Sequence, residues 1–206
     1  YIRHVKLNED FAYFLGLVIT DGHIVHNKIT KKYQTAIYTS YPEEKDMILE
    51  LIKGLFNYKA GITPRMCGFS KKPNYEIRIA SKNLTSILIN DFNIPAGAKS
   101  LIVDLPKKII SSSTKIKMAF LRGVIDGDGS ITSSQIKISS GSEKFLISLK
   151  ELLKSLTISS GELYKRKDTK TVEFKIPVRA NIEKLKEIYN INKWVYLRKK
   201  EQIGNI

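Results

Sequence analysis

Two stretches decide the fold: Asp10–Gly22, DFAYFLGLVITDG, and Lys117–Gly129, KMAFLRGVIDGDG. Each is apolar almost all round, the mark of a helix buried on every side. Each runs Phe-Leu, Gly, Val-Ile and then Asp-Gly, so Asp21 and Asp128 fall at matched points 107 residues apart. Asn8 is placed to cap the first helix, with Glu9 and Asp10 in its first turn, and Ser113 to cap the second. Gly16 and Gly123 stand at matching points inside the helices, where glycine costs about 1 kcal/mol against alanine. One explanation is ordinary tolerated glycine. The better one, because the cost is matched, is close backbone approach between two helices packed side by side. If they run parallel their C-termini lie together. Asp21 and Asp128 then come close, each followed by a glycine suited to a left-handed C-terminal turn.

The echo continues outward from these helices. Tyr75-Glu-Ile-Arg-Ile79 matches Val172-Glu-Phe-Lys-Ile176, each alternating like a half-buried strand. A helical stretch follows each, ending in Phe92-Asn93-Ile94 and Tyr189-Asn190-Ile191. Four blocks recur in one order, which indicates a duplicated unit of about 100 residues. Within each half the order is helix, two strands, helix, two strands, helix. In the first half strands are expected near 23–30, 33–40, 61–68 and 74–80, and helices near 43–56, with Pro42 in the first turn, and 81–91. In the second half strands are expected near 131–139, 161–167 and 170–178, and helices near 142–156 and 179–189, with a basic last helix after Asn192. The expected division is 1–104 and 114–206, joined by a Pro-, Gly- and Ser-containing linker over 94–113.

Composition narrows the partners. The 206 residues carry a net charge of +15, split as +4 over residues 1–104 and +11 over 105–206. A basic balance of this size favours a polyanion, nucleic acid before anionic membrane. No apolar run approaches the roughly 20 residues of a membrane span. Cys67 is the only cysteine and His4, His23 and His26 the only histidines. An intramolecular disulfide and a cysteine- or H-E-x-x-H-based zinc site are thereby excluded, and a reducing, intracellular setting (cytoplasm, nucleoid or organelle) is expected. Tyr1 is not an initiator, so a trimmed or excised product is expected.

A carboxylate at a helix C-terminus faces the negative end of the helix dipole, a poor placement unless a cation binds there. Two such carboxylates offer hard oxygen ligands to Mg²⁺, or another divalent metal, beside a scissile phosphate. F14-L-G-L-V-I-T-D-G22 and L121-R-G-V-I-D-G-D-G129 resemble two copies of the LAGLIDADG motif. The resemblance, carried by the repeat as well as the motifs, covers nearly the whole chain. It implies an α+β fold of two pseudo-symmetric αββαββα repeats, with saddle-shaped antiparallel sheets and a central two-helix interface. It also implies a monomeric, intron- or intein-encoded homing endonuclease. Such an enzyme hydrolyses phosphodiesters to break both strands of a near-asymmetric DNA target of roughly 20 base pairs, with short 3′ overhangs. The family's metal-ligating acid carries over to Asp21 and Asp128. Three positions depart from the pattern. Ile19 stands opposite Asp126 at the sixth position, Thr20 takes a place usually held by Ala or Gly, and Arg122 replaces the second residue. Asp126 is either a further ligand or, the better reading, a structural cap or ion-pair partner.

The resemblance also implies a lysine beside the acids after the last helix of each repeat: Lys99 in Gly97-Ala-Lys-Ser100, and Lys193 in Asn190-Ile-Asn-Lys193. Both are counted as catalytic with the two acids, a solvated surface lysine being the alternative. Ser40 and Ser140, at the ends of strands, are weaker candidates for the neighbourhood of a metal-bound water. Strand alternation nominates Lys32, Gln34, Tyr38, Arg65, Arg78, Gln135, Lys137, Arg166 and Lys175 for the DNA face, a one-residue slip exchanging the faces. Two rivals stand beside this reading. One is a LAGLIDADG nucleic-acid binder that does not cut, such as an RNA maturase acting on intron RNA. The other is a structural RNA-binding protein, which leaves the paired Gly and Asp-Gly positions unexplained. A stand-alone splicing element is disfavoured, since no terminal Cys/Ser and His-Asn pair is visible.

Overall fold

A computed structural model describes residues 2, 5–66, 73–167, 169, 171–190 and 194–205. The first repeat runs α1 (Glu9–Thr20), β1 (Gly22–Asn27), β2 (Lys32–Thr39), α2 (Pro42–Phe56), β3 (Gly61–Met66), β4 (Pro73–Ile79) and α3 (Lys82–Asn90). After a short α4 (Lys107–Ile110), the second runs α5 (Thr114–Asp128), β5 (Gly129–Ile131), β6 (Gln135–Ser140), α6 (Glu143–Ser155), β7 (Tyr164–Lys165), β8 (Val172–Pro177) and α7 (Val178–Asn190), with α8 (Leu197–Gly204) beyond it. This is the twice-repeated αββαββα order. No described helix is long and apolar enough to cross a membrane.

Local signals place the starts of α1, α2, α3 and α6. The Asn8 side chain accepts from the Phe11 N–H at 2.8 Å, Ser81 from Leu84 at 3.2 Å and Ser142 from Phe145 at 3.3 Å. Pro42 opens α2, where its missing N–H costs nothing. Ser113 takes the cap position of α5 but makes no side-chain cap bond.

Each repeat builds one antiparallel four-stranded sheet, ordered β1-β2-β4-β3 and β5-β6-β8-β7. The registers match, with Tyr38 opposite Glu76 in the first sheet and Ser139 opposite Glu173 in the second. One face of each sheet is apolar, through Ile37, Ile77 and Ile79 in the first and Ile136, Ile138, Phe174 and Ile176 in the second, all buried. The alternate residues form a polar, uncovered face.

Three expectations are corrected. The single strand expected over 131–139 is a hairpin: residues 132–134 turn, with Thr132 N–H bonded to the Gln135 carbonyl, and only three residues remain for β5. The 161–167 strand shrinks to Tyr164–Lys165. The linker is not loose. Ile94, Val103, Leu105 and Ile109 are buried in the core, and the Ser142 hydroxyl donates to the Val103 carbonyl at 2.6 Å. Its Pro and Ser content signalled turns correctly but hid an apolar residue set spaced to pack.

The two motif helices form the centre. Phe11, Phe14, Leu15, Leu17, Phe120, Leu121 and Val124 have no exposed surface. A methyl group at Gly16 would lie 2.6 Å from the Phe120 carbonyl oxygen and 2.9 Å from the Gly123 Cα, and one at Gly123 would overlap the Tyr13 carbonyl. The backbones touch, and the matching pairs, 16 with 120 and 123, then 20 with 127, run in one direction. Thr20 fits because Gly127 faces it: a methyl on Gly127 would collide with the Thr20 side chain. Gly22 and Gly129 are required for a reason other than the one expected. Neither has positive φ; added methyls would strike the Val18 and Ile125 carbonyls.

Alanine is the better helix former by about 1 kcal/mol, so substituting a helical glycine tests the contact. Gly123→Ala is expected to lower unfolding free energy by about 1–3 kcal/mol in urea titration, against that propensity. Gly204→Ala, with open space around it, is expected to stay within about 0.5 kcal/mol.

Candidate active site

Parallel packing delivers Asp21, which caps α1, and Asp128, which ends α5, to one end of the central helix pair. Asp21 is half-buried and Asp128 lies at the exposed rim of the site, each carboxyl partly shielded from water by the packed helix ends. Burial, the Asp128 charge and the Glu44 charge push Asp21 up to about 7, against the pull of Lys99 and Lys199. Burial pushes Asp128 up to about 6, opposed by the same two lysines. The pair is therefore held in a state that repels its own charge. A cation between them relieves that repulsion.

Lys99 is only 7% exposed, which rules out its solvated-surface alternative, and Lys199 is only 4% exposed. The Lys99 ammonium donates to the Ile19 carbonyl and, at 3.3 Å, to that of Thr20, satisfying the free end of α1. The Lys199 ammonium donates to the Gly129 carbonyl beyond α5. Burial lowers both lysines, with Asp128 and Asp21 pulling Lys99 back up. Lys193 lies outside the described residues. The lysine that the structure sets beside the second acid is Lys199, on α8, six residues further along. Sequence reasoning missed it because Arg198, Lys199 and Lys200 stand together in the basic last helix, with nothing to single out one of them.

The surroundings of the two acids differ. On the Asp21 side Glu44, itself buried, accepts from Thr39 Oγ1 at 2.5 Å and from Arg198 Nε at 2.6 Å. The Arg198 guanidinium stacks 4.4 Å from the Tyr41 ring. A cleft lined by Asp21, Tyr38, Ser40, Tyr41, Asn74 and Arg198 opens here. Ser140, Ser40's counterpart, instead accepts from the Ser142 N–H at 3.1 Å. Asp126 is fully buried, and its oxygens accept from Tyr13 and Tyr189 hydroxyls at 2.8 and 2.9 Å and from the Tyr196 N–H at 2.9 Å. Arg122 lies 5.1 Å from the Tyr13 ring and donates to the carbonyls of Trp194 and Ile188 at 3.0 and 2.8 Å. Arg122, the departure in the second motif, and Asp126, which the first motif lacks, thus serve a buried network that ties α5 to α1, α7 and the segment before α8.

Two carboxylates are too few for a protein-only metal cage. No cluster of three or more His, Cys, Asp or Glu side chains occurs among the described residues. Magnesium is commonly held by one or two carboxylates, with waters and substrate phosphate completing its shell.

Comparison with known proteins agrees with this geometry. Residues 115–199 match the family model of a LAGLIDADG-like domain. The chain is similar to I-DmoI, solved in complex with DNA and Ca, at a TM-score of 0.71 and 20% identity, covering 97% of this chain and 99% of that one. The second half is similar to a LAGLIDADG-like domain, and the whole chain shares the LAGLIDADG fold. The N-terminal LAGLIDADG domain of DUF199/WhiA is similar at a TM-score of 0.62 and 17% identity, covering 96% of this chain and 88% of that one. Among curated proteins, the uncharacterized protein MJ1054 of Methanocaldococcus jannaschii is 26% identical over 92% of the chain, which spans 22% of that relative's length. A DNA polymerase of Thermococcus aggregans is 30% identical over 76% of the chain and 8% of its own length.

The LAGLIDADG sheets gather most of the remaining candidates. Gln34 and Tyr38 on β2, Arg65 on β3 and Arg78 on β4 share the polar face of the first sheet, with Lys32 at the exposed start of β2. The Arg78 guanidinium donates to Thr63 Oγ1 at 2.5 Å. In the second sheet Gln135, Lys137 and Lys175 share the corresponding face, Lys137 directly opposite Lys175. Arg166 follows β7, exposed, its N–H bonded to the Thr171 carbonyl. Two acids on these faces, Glu76 and Glu173, were not expected as site residues.

Asp21 holds its proton more tightly in the fold than at its ordinary value of 3.8. Stability is therefore lost as pH rises between about 4 and 7. In EDTA, the wild-type melting temperature is expected to fall from pH 5 to pH 8. Asp21→Asn should flatten this decline, and Mg²⁺ should raise the wild-type value more at pH 8 than at pH 5. Identical profiles for wild type and variant would contradict the repelling pair.

Proposed function

We propose that the chain is a site-specific homing endonuclease: a monomer that hydrolyses one phosphodiester in each strand of a long, near-asymmetric DNA duplex, with Mg²⁺. What supports this best is the meeting of Asp21 and Asp128 at the ends of the two central helices, between two buried lysines. The acids would hold the metal, which when bound supplies Lewis-acid activation of water and charge stabilisation at the phosphate. Lys99 and Lys199, fixed by carbonyls at the helix ends, would offset charge gathering on the phosphate and orient the attacking water. Lys193 remains a second candidate for this role. Arg198 would stand over the Asp21-side phosphate, with no equivalent group yet assigned at the other. The polar faces of the two sheets would lie along the DNA, each repeat reading one half of a target of roughly 20 base pairs. The proposed repeats are 1–104 and 114–206. The small share of its relatives' length that the match spans suits a unit carried within a longer product, an intein or an intron-encoded protein, working inside the cell.

A second reading, a nucleic-acid binder that does not cut, such as an RNA maturase, draws on one observation. The same fold occurs as the N-terminal LAGLIDADG domain of DUF199/WhiA, one part of a larger protein.

Cleavage of a plasmid library with random inserts of roughly 20 base pairs separates the two. Double-strand cutting at one site is expected with Mg²⁺ and none in EDTA. Asp21→Asn and Asp128→Asn should each slow it on the order of 100-fold or more, and Lys199→Met by a smaller factor. Salt-sensitive binding without cutting in any divalent metal would establish the binder instead.

A further inference from the structure

Glu76 is 3% exposed on the face of the first sheet that carries its polar and basic side chains. It sits in the middle of a cross-strand row, opposite Tyr38 on β2 and Thr63 on β3. One carboxylate oxygen accepts from Gln34 Nε2 at 3.2 Å and from the Tyr38 hydroxyl at 3.4 Å. The other lies 2.5 Å from the Arg65 guanidinium, an arginine whose side chain is otherwise more than half exposed. The second repeat keeps an acid at the matched position. Glu173 accepts from the Ser139 hydroxyl at 3.4 Å and lies 4.0 Å from the Lys137 ammonium. An acid on a surface turned toward a polyanion costs affinity, so its presence on both sheets calls for a gain elsewhere.

The gain follows from hydrogen-bond polarity. An ionised carboxylate only accepts. Every side chain that touches Glu76 must turn a donor toward it, and this fixes what the side chain presents outward. Gln34 gives one of its two amide N–H groups to Glu76, which turns its carbonyl oxygen outward beside the remaining N–H, the pair that fits adenine N6 and N7. Tyr38 spends its only O–H on Glu76 and keeps lone pairs. The phenol stays protonated, since burial and the Glu76 charge raise it. Arg65 is held by one nitrogen with the rest of its fork available.

We propose that Glu76 is a specificity-setting residue of the first repeat, holding Gln34 and Tyr38 so that both offer acceptors to the major groove while Arg65 stands ready as the donor, with Glu173 as its counterpart in the second repeat. Acceptors match bases that present an amino group there, adenine N6 or cytosine N4, and reject guanine O6 and thymine O4. Arg65 pairs with guanine on a neighbouring step. The proposal rests on the DNA-binding reading above. It adds which base edges the first half-site prefers and which residue enforces the preference.

The test is enrichment of randomised duplex DNA in EDTA, sequenced for wild type, E76Q, E173Q and the double variant Gln34→Met/Tyr38→Phe, with melting temperatures for each. Wild type should enrich a motif with adenine or cytosine at one position of one half-site. E76Q, whose amide no longer dictates donor direction, should lose that preference by about tenfold. Its affinity for random duplex should stay unchanged or rise, because one negative charge is gone. The double variant, which keeps Glu76, should lose the same position, and E173Q should change only the other half-site. A wild-type motif that survives intact in E76Q overturns the proposal and leaves DNA binding standing. Equal weakening of E76Q on selected and random DNA, with a lowered melting temperature, also overturns it, since that marks a merely structural acid. No motif enriched by wild type would overturn the DNA-binding reading and this proposal together.

Discussion

The fold depends on the contact between two helix backbones. Gly16 and Gly123 let α1 and α5 approach until Cα faces Cα, a distance that no other residue pair permits. Gly127 opposite Thr20 carries the contact to the helix ends. Asp21 and Asp128 are adjacent because of this contact and not because any bond joins them. Their mutual repulsion and partial desolvation are a standing cost, set against the apolar surface that the two helices remove from water. Lys99 and Lys199 reduce that cost from two sides, each anchored to carbonyls that the helix ends would otherwise leave unpaired.

Duplication makes the two halves alike, and their departures from symmetry are informative. Asp126 and Arg122 have no acidic or basic counterpart in α1, where Ile19 and Leu15 stand instead. Their network with Tyr13, Tyr189 and the Tyr196 backbone fixes the segment that leads into α8. That helix in turn delivers Lys199 to the second acid and Arg198 to Glu44 of the first repeat. One buried polar network in the second motif thereby positions charge on both sides of the site. Because Arg198 serves only the Asp21 side, the two halves of the site are not equivalent.

Much of this was legible in the sequence because it rests on strict spacing. The matched Gly and Asp-Gly positions pointed to the helix interface and to two acids at its end, and strand alternation put Gln34, Tyr38, Arg78, Lys137 and Lys175 on the polar faces of the sheets. What stayed hidden depends on distant partners. Lys199 lies within a run of three basic residues, and nothing local distinguishes the one whose ammonium turns inward to Gly129. Glu76 and Glu173 looked like the polar positions of alternating strands; their meaning comes from neighbours on other strands. The glycines after the two acids were expected for their backbone freedom, whereas nearby carbonyls require them. The hairpin at 132–134 was missed because a Thr-Ser-Ser turn interrupts the alternation for only three residues.

The central claim is that two helix ends form one cation site. Anomalous scattering from crystals grown with Mn²⁺ and the selected DNA target tests it most directly. Manganese density bonded to carboxylate oxygens of both Asp21 and Asp128, at about 2.1 Å, and lost in Asp21→Asn/Asp128→Asn, is the predicted result. Manganese bound elsewhere on the protein, with these two carboxyls free of metal beside an ordered scissile phosphate, would contradict it.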